Sequence, residues 1–422
     1  MTYEEALSFI HSVDWKGSRL GLERTQELLG MLRNPEKKLK FIHIAGTNGK
    51  GSTAAMLAAI LTEAGFCTGL YTSPFINRFN ERMQVNGKMI SDSDLAEMTS
   101  YIRPYAESMS DSPTEFELIT ALAMVYFVRS KCDIVVLETG MGGALDSTNV
   151  IGVPEAAVIT AMGLDHVAEL GPAMADIARA KAGIIKPGGS VVIYGGNPEA
   201  DPIFEQVCQE QGASLTKPDF TAIVPGNFDL DGQSFSYKNW TDLRIPLAGS
   251  YQMNNAAVVL ETVEVLRGKG WHISGSEVRK GLSETRWPAR FEILQKNPVF
   301  IVDGGHNPHG IRATADSLQR LFPEKKIVFL TGVMADKDVE SILGLIVPMA
   351  EQFFTVRPDN PRAMQAEELA SRIQKLGAQA TPCGSVRDGV RQALQAAGSD
   401  GIVCALGSLY MSGDVRSCFA AP

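Results

Sequence analysis

The sequence predicts an α/β protein of two units, each a largely parallel sheet covered by helices. Three observations carry that expectation. Short β-branched runs alternate with longer helical stretches, the pattern of strands joined by crossover helices. The runs come in two series: "FIHIA", "CDIVVLET", "EAAVIT" and "SVVIYG" in the first part of the chain, then "VFIVDGG", "KIVFLTG", "QFFTVRP" and "GIVCALGS" in the last. Finally, 422 residues exceed the roughly 250–300 at which a single hydrophobic core stops growing. The join is expected in "TRWPARFEILQKNP", Thr285 to Pro298, where the helical pattern stops and prolines interrupt regular structure. A boundary near Pro288 gives domains 1–288 and 289–422.

Between Pro218 and Gly249, aromatic and β-branched residues broken by Gly, Asn and Asp predict a small antiparallel insert of short hairpins. With 45% hydrophobic and 21% charged residues the chain reads as globular. Its 39 Lys and Arg stand against 48 Asp and Glu, a net charge of −9 with no basic block, which argues against nucleic acid as a partner. The apolar run Ile119 to Val128 is shorter than the about 20 residues of a bilayer span. With the acidic start "MTYEEALSFI" and no cleavage signal, it leads us to expect a cytoplasmic protein without a membrane partner. Six scattered cysteines show no metal-ligand spacing and read as reduced thiols.

The stretch "FIHIAGTNGKGSTAAMLAAILTEAG", Phe41 to Gly65, carries the chemistry. Asn48-Gly49 could be the turn of a β-hairpin, which requires a second strand. The residues after the loop instead set Leu57, Ile60, Leu61 and Ala64 on an amphipathic helical stripe. Strand, glycine loop and helix is the order of a phosphate site, where backbone N–H groups and the positive end of the helix meet the anion. Lys50 would reach the β- and γ-phosphates, and Ser52 would coordinate Mg²⁺. The generic pattern GxxxxGK[ST] is not met at Ile44 or at Gly51, so other residues have to decide.

Four further places have two readings each. Glu138 ends an apolar strand before a glycine turn, as a second Mg²⁺ anchor or as a simple cap. Asp165 and His166 come after another strand, as ligands or as structural residues. Lys181 lies among small and apolar residues, either functional or snorkelling from a helix. "VFIVDGGHNPHG" ends a strand with Asp303 and His306, at the carboxyl edge where α/β sheets bind ligands or in a turn that uses these residues for their backbone preferences.

Taken in order, "LGLERTQELLGMLRNP", "GTNGKGS", "YTSPFINRFNERMQVNG", "TEFELITALA", "LETGMGGALDSTNV", "LDHVAELG", "KAGIIKPG", "RWPARFE", "DGGHNP", "GVMADKD" and "ALGSLYMSGDVR" resemble the folylpolyglutamate synthase/dihydrofolate synthase family of the Mur ligase superfamily. The resemblance runs nearly end to end. It implies a P-loop central domain of the Mur ligase type with a folate-binding loop, and a smaller Rossmann-like C-terminal domain. By it, Gly46, Thr47, Asn48, Gly49, Lys50, Gly51 and Ser52 hold ATP, with Arg290, Asp303 and His306 contributed by the C-terminal domain. Ser52 and Glu138 match ligands of a first Mg²⁺; His166 and a carbamylated Lys181 match ligands of a second. Lys50, His166 and Lys181 correspond to catalytic residues, and Ser73, Pro74, Phe75 and Arg82 to the folate-binding loop. Ala144 departs from the pattern, standing where the family usually has Arg in "GLGGRLDATN".

The activity so implied is ATP-dependent addition of L-glutamate to the glutamyl carboxylate of a reduced folate through an acyl phosphate. The resemblance leaves open a second activity, conversion of dihydropteroate to dihydrofolate. The expected partners are the small molecules ATP, L-glutamate and a reduced folate, and the expected state is a monomer. The alternatives are a Mur-type ligase for another carboxylate acceptor, and a non-catalytic nucleotide-binding regulatory module, which would leave His166, Lys181 and the "DGGHNP" turn without a role.

Overall fold

A computed structural model describes residues 1–12 and 21–419; Leu20, which opens the first quoted family motif, lies outside the described residues. The chain divides into two compact units, the first formed by Met1–Ala222 with Asn254–Glu284 and the second by Ile223–Met253 with the chain from Thr285 onward. The described residues contain no helix long and apolar enough to cross a membrane.

The first unit is built on eight strands: β1 (Phe41–Ala45), β2 (Thr68–Tyr71), β3 (Met83–Val85), β4 (Lys88–Met89), β5 (Ile134–Glu138), β6 (Ala156–Ile159), β7 (Ser190–Ile193) and β8 (Ser214–Thr216). Their order is β4-β3-β2-β5-β1-β6-β7-β8, parallel except where β3 pairs with β2 and β4. Every residue of β1 and β5 is buried, which is why both read as continuous apolar runs rather than alternating ones. The order turns at β1: its neighbours are β5 on one side and β6 on the other. The loops leaving the carboxyl ends of these three strands therefore surround a topological switch point, where open α/β sheets take their ligands.

The helix Lys50–Glu63 comes directly after β1 and its loop; Ala58, Ala59, Thr62 and Glu63 form a less buried side opposite the expected stripe, but its first half is not two-faced. Gly51 to Leu57 are all buried, and Ile60 and Leu61 with them, while Ala64 is the C-cap. The helix Gly275–Glu284 packs against it at Ile60: its Gly281 comes so close that an added Cβ would stand 2.5 Å from the Ile60 Cα. The apolar run Ile119–Val128 lies within the buried helix Glu115–Arg129. A capping box starts that helix, Thr114 and Glu117 each bonding the other's backbone N–H, and Glu117 also grips Arg24 at 2.8 and 2.9 Å.

The second unit holds two sheets. The segment from Ile223 forms the antiparallel β9 (Ile223–Asp229), β10 (Gly232–Tyr237) and β11 (Trp240–Ile245). The other sheet comprises β12 (Glu292–Lys296), β13 (Val299–Val302), β14 (Ile327–Thr331), β15 (Ala350–Thr355), β16 (Ala380–Pro382) and β17 (Ile402–Leu406). Its order is β12-β13-β17-β14-β15-β16, parallel except for the hairpin of β12 with β13. β12 falls within Thr285–Pro298, where the sequence led us to expect interrupted structure. It is an edge strand with no fully buried residue, so no hydrophobic pattern announces it; pairing with β13 defines it.

Candidate active site

In the first unit the loop after β1 is fixed by its backbone. Thr47 and Asn48 both donate to the Ala161 carbonyl, at 3.0 and 3.1 Å, and the Thr47 hydroxyl donates to the Gly163 carbonyl at 2.9 Å. Gly46 has φ +150° and runs so close to β6 that a Cβ would lie 1.9 Å from Thr160 Oγ1. Gly49 is left-handed, φ +88°, with Asn255 Oδ1 2.7 Å from the place of its missing Cβ. As N-cap of the helix Lys50–Glu63, Gly49 supplies no side-chain cap, so the first turn is left to be satisfied by something other than its own cap residue.

Two amines converge on one carbonyl oxygen. Lys50 Nζ donates to Gly46 O at 3.2 Å and to Thr47 O at 3.5 Å, and Lys181 Nζ, from the helix Met174–Ala182, donates to the same Gly46 O at 2.7 Å. Lys181 is 3% exposed. Burial, with the Lys50 charge added, pushes its pKa down to about 7, so near neutrality much of it is free amine. Glu138, level with Ile44 in the parallel register of β1 and β5, places Oε1 4.0 Å from Lys50 Nζ.

The same carboxylate reaches the loop after β2: Ser73 N lies 3.4 Å from Glu138 Oε2. Pro74 is cis. Glu81 gathers the loop by accepting from the backbone N–H groups of Ile76, Asn77 and Arg78. The Arg82 guanidinium stacks over Phe75 and Phe79, 5.3 and 5.6 Å from the ring centroids. Ser73, Pro74, Phe75 and Arg82 thus form one ordered loop beside Glu138. His166 is placed otherwise: exposed, left-handed with φ 52°, and heading the short helix Val167–Leu170.

The two residues expected to hold the first metal ion, Ser52 and Glu138, have the chemistry a hard cation takes. Ser52 and Glu138 offer a hydroxyl and a carboxylate, 1% and 4% exposed, and Mg²⁺ is usually held by one or two such oxygens, with substrate phosphates and waters completing the octahedron. Among the described residues no three His, Cys, Asp or Glu side chains form a closed metal cage.

In the second unit the turn after β13 is organised by a buried carboxylate. Asp303, 3% exposed, accepts from Phe291 N at 2.7 Å, Gly305 N and Thr314 Oγ1 at 2.8 Å, and the Tyr251 hydroxyl at 3.3 Å. Four donors on two oxygens make it the knot of the turn. His306 Nδ1 lies 2.9 Å from Gly304 O. Arg290 Nη1 donates to the Ala289 carbonyl at 3.0 Å and lies 2.6 Å from where a Cβ of Gly304 would be. Asn307 caps the helix Pro308–Leu321 by accepting from Gly310 N at 2.8 Å.

Residues that the sequence reading passed over support the first loop. His43, wholly buried in β1, holds its pKa down at about 3 through burial, and its Nε2 lies 2.9 Å from Thr148 Oγ1. Thr148 in turn donates to Asp146, which also accepts from Met141 N and so ties down the glycine turn after Glu138. Asn255 is 3% exposed in the helix Gln252–Gly268; its signal is the pair of amides in the otherwise apolar "MNNAAVVL".

Fold and site together define an ATP-dependent ligase of the Mur type: the model of the Mur ligase middle domain matches residues 44–263, and that of the Mur ligase glutamate ligase domain matches 289–409. The chain is 36% identical over 427 residues to dihydrofolate synthase/folylpolyglutamate synthase of Bacillus subtilis, covering 98% of both chains. Among solved structures it is similar to Mycobacterium tuberculosis folylpolyglutamate synthase complexed with ADP and AMPPCP, with TM-score 0.90 and 30% identity over 100% of this chain and 99% of that one. Escherichia coli FolC in complex with DHPP and ADP gives TM-score 0.88 and 28% identity, covering 99% and 97%. The chain belongs to the folylpolyglutamate synthase/dihydrofolate synthase family.

Proposed function

We propose that this enzyme uses ATP to join L-glutamate to the glutamyl carboxylate of a reduced folate, and that it accepts dihydropteroate as a second substrate. The observation that carries this reading is the placing of Lys50, Glu138 and the Ser73–Arg82 loop together at the carboxyl ends of β1, β5 and β2 in a chain that resembles the Bacillus subtilis enzyme along its whole length. One group of residues suits nucleotide phosphates, and the adjoining ordered loop suits the acceptor.

Amide formation from a carboxylate in water is uphill, so the acceptor carboxylate takes the ATP γ-phosphoryl group first and ADP leaves. The amine of glutamate then attacks the acyl carbon and phosphate departs. The backbone N–H groups of Gly46 to Ser52 would bind the phosphates, and Lys50 would stabilise charge on the oxygens of the group in transfer. Ser52 and Glu138 would hold one Mg²⁺, which when bound neutralises phosphate charge. His166 and a carbamylated Lys181 would hold another; CO₂ adds to a neutral amine, and the lowered Lys181 pKa supplies one. Arg290 and His306 would contribute to nucleotide binding. We place the enzyme in the cytoplasm as a monomer, without nucleic acid or membrane partners.

The test measures ADP release with Mg²⁺-ATP and L-glutamate, offering tetrahydrofolate or dihydropteroate. Turnover with both is expected. Turnover with tetrahydrofolate alone would remove the second substrate, and ATP binding without turnover on either would overturn the reading. The mass of native protein, with a gain of one CO₂ lost on Lys181→Met, checks the carbamate.

A further inference from the structure

The segment that carries Arg290 is held in an unfavourable backbone shape. Ala289 and Phe291, on either side of Arg290, are both left-handed, with φ 54° and 50°. Neither is glycine, and two such residues flanking one side chain persist only where the surroundings impose them. Two carboxylates do so. Asp303 takes Phe291 N. Glu292 Oε2 takes Ala289 N at 2.8 Å, while Gly304 N donates to the Ala289 carbonyl at 2.8 Å. Glu292 is fixed in turn by Arg416, whose Nε lies 2.9 and 3.2 Å from its two oxygens. Arg416 comes from the short helix Ser412–Ser417, so a residue 126 positions downstream of Arg290 helps to set its direction. The pair sits among intermediate rather than open surroundings, with side chains 24% and 26% exposed.

We propose that the Glu292–Arg416 ion pair is a positioning device for the nucleotide: it locks the left-handed Ala289–Phe291 segment so that the Arg290 guanidinium stays along the Gly304 turn, ready for the phosphates. The inference rests on the reading of Arg290 as a nucleotide residue. Glu292 and Arg416 touch no substrate themselves. They act by sparing the enzyme the cost of ordering Arg290 when the nucleotide arrives.

Removing either partner should weaken nucleotide binding and leave the acceptor alone. Glu292→Gln and Arg416→Ala are each expected to raise the Kd for Mg²⁺-ATP, read by calorimetry without acceptor, and the KM for ATP by about tenfold, the size of one charge-assisted hydrogen bond. The KM for L-glutamate should move less than about twofold, since uniform loosening of the fold would move both. The decisive readout is a double-mutant cycle: with Arg290→Ala already present, Glu292→Gln should have no further effect on the Kd. Arg372→Ala, which breaks an exposed pair with Glu368 in the same unit, is the control and should leave the Kd unchanged. Effects of Glu292→Gln and Arg290→Ala that simply add, or a Kd unchanged in folded Glu292→Gln, overturn the proposal. Wild-type protein that binds Mg²⁺-ATP but does not ligate overturns the functional reading instead and leaves the cycle readable.

Discussion

Two glycine-rich turns in this molecule share the same plan and end differently. Each leaves the carboxyl end of a parallel strand, β1 or β13, and each enters a helix of 14 residues, Lys50–Glu63 or Pro308–Leu321. In the second unit the helix start is closed by its own sequence: Asn307 caps it and Pro308 takes a position that needs no hydrogen bond. In the first, Gly49 offers no side-chain cap, and the charges nearby are Lys50, Lys181 and Glu138, where the second turn has Asp303, whose oxygens are taken up within the turn, and Arg290. The second helix start is satisfied by its own residues and the first is not, and the difference lies in a few side chains at the helix start, not in the fold.

The largest test of that contrast is Lys50→Ala. Loss of one preorganised cation should lower turnover by on the order of 10²–10³-fold, measured as steady-state ADP release, with little change in thermal stability. Near-normal turnover would remove Lys50 from the reaction.

Gly46→Ala attacks the first turn through shape. A Cβ would collide with Thr160 Oγ1 at 1.9 Å and φ is +150°, so overpacking and backbone strain together should destabilise the first unit by about 3 kcal/mol or more. Gly304→Ala in the other turn meets the flexible end of Arg290 and Leu409 at a backbone without positive φ, and should cost less by denaturant titration. Equal costs would break the comparison.

Lys181 adds a pH signature. Its folded pKa, about 7, lies below the ordinary 10.5, so between these values the unfolded chain binds more protons and stability rises with pH. In Lys181→Met the rise in Tm from pH 7 to pH 10 should be flatter than in the wild type; parallel curves would show that the amine is not buried as described.

The smallest effect belongs to the capped turn. Asn307→Ala should cost about 1 kcal/mol of stability, the usual value of an N-cap, whereas alanine at Asn48, beside the uncapped helix start, should change nucleotide affinity more than Tm. Calorimetry with Mg²⁺-ATP separates the two.

Some of this was decided by the sequence alone. The strands β1, β5, β13 and β17 announce themselves because, His43 and Glu138 apart, their residues are apolar, and the loop Gly46–Ser52 does so because local backbone demands require glycine at fixed places. Order along the chain was enough to place Glu138 at a strand end and Lys50 and Ser52 in the first turn of the helix after β1. Tertiary structure decided the rest, because it depends on groups far apart in sequence. The convergence of Lys50 and Lys181 on Gly46 O spans 135 residues. The depressed Lys181 pKa is a consequence of burial that no local pattern records. The segment from Ile223 was legible as antiparallel hairpins, but its membership of the second unit came from packing. Asp303 was legible as a polar residue at a strand end; only its four donors, drawn from residues 251 to 314, reveal that its oxygens are occupied in holding the turn. Periodicity reports which face of an element is buried, whereas partnership between polar groups is set by the three-dimensional path of the chain.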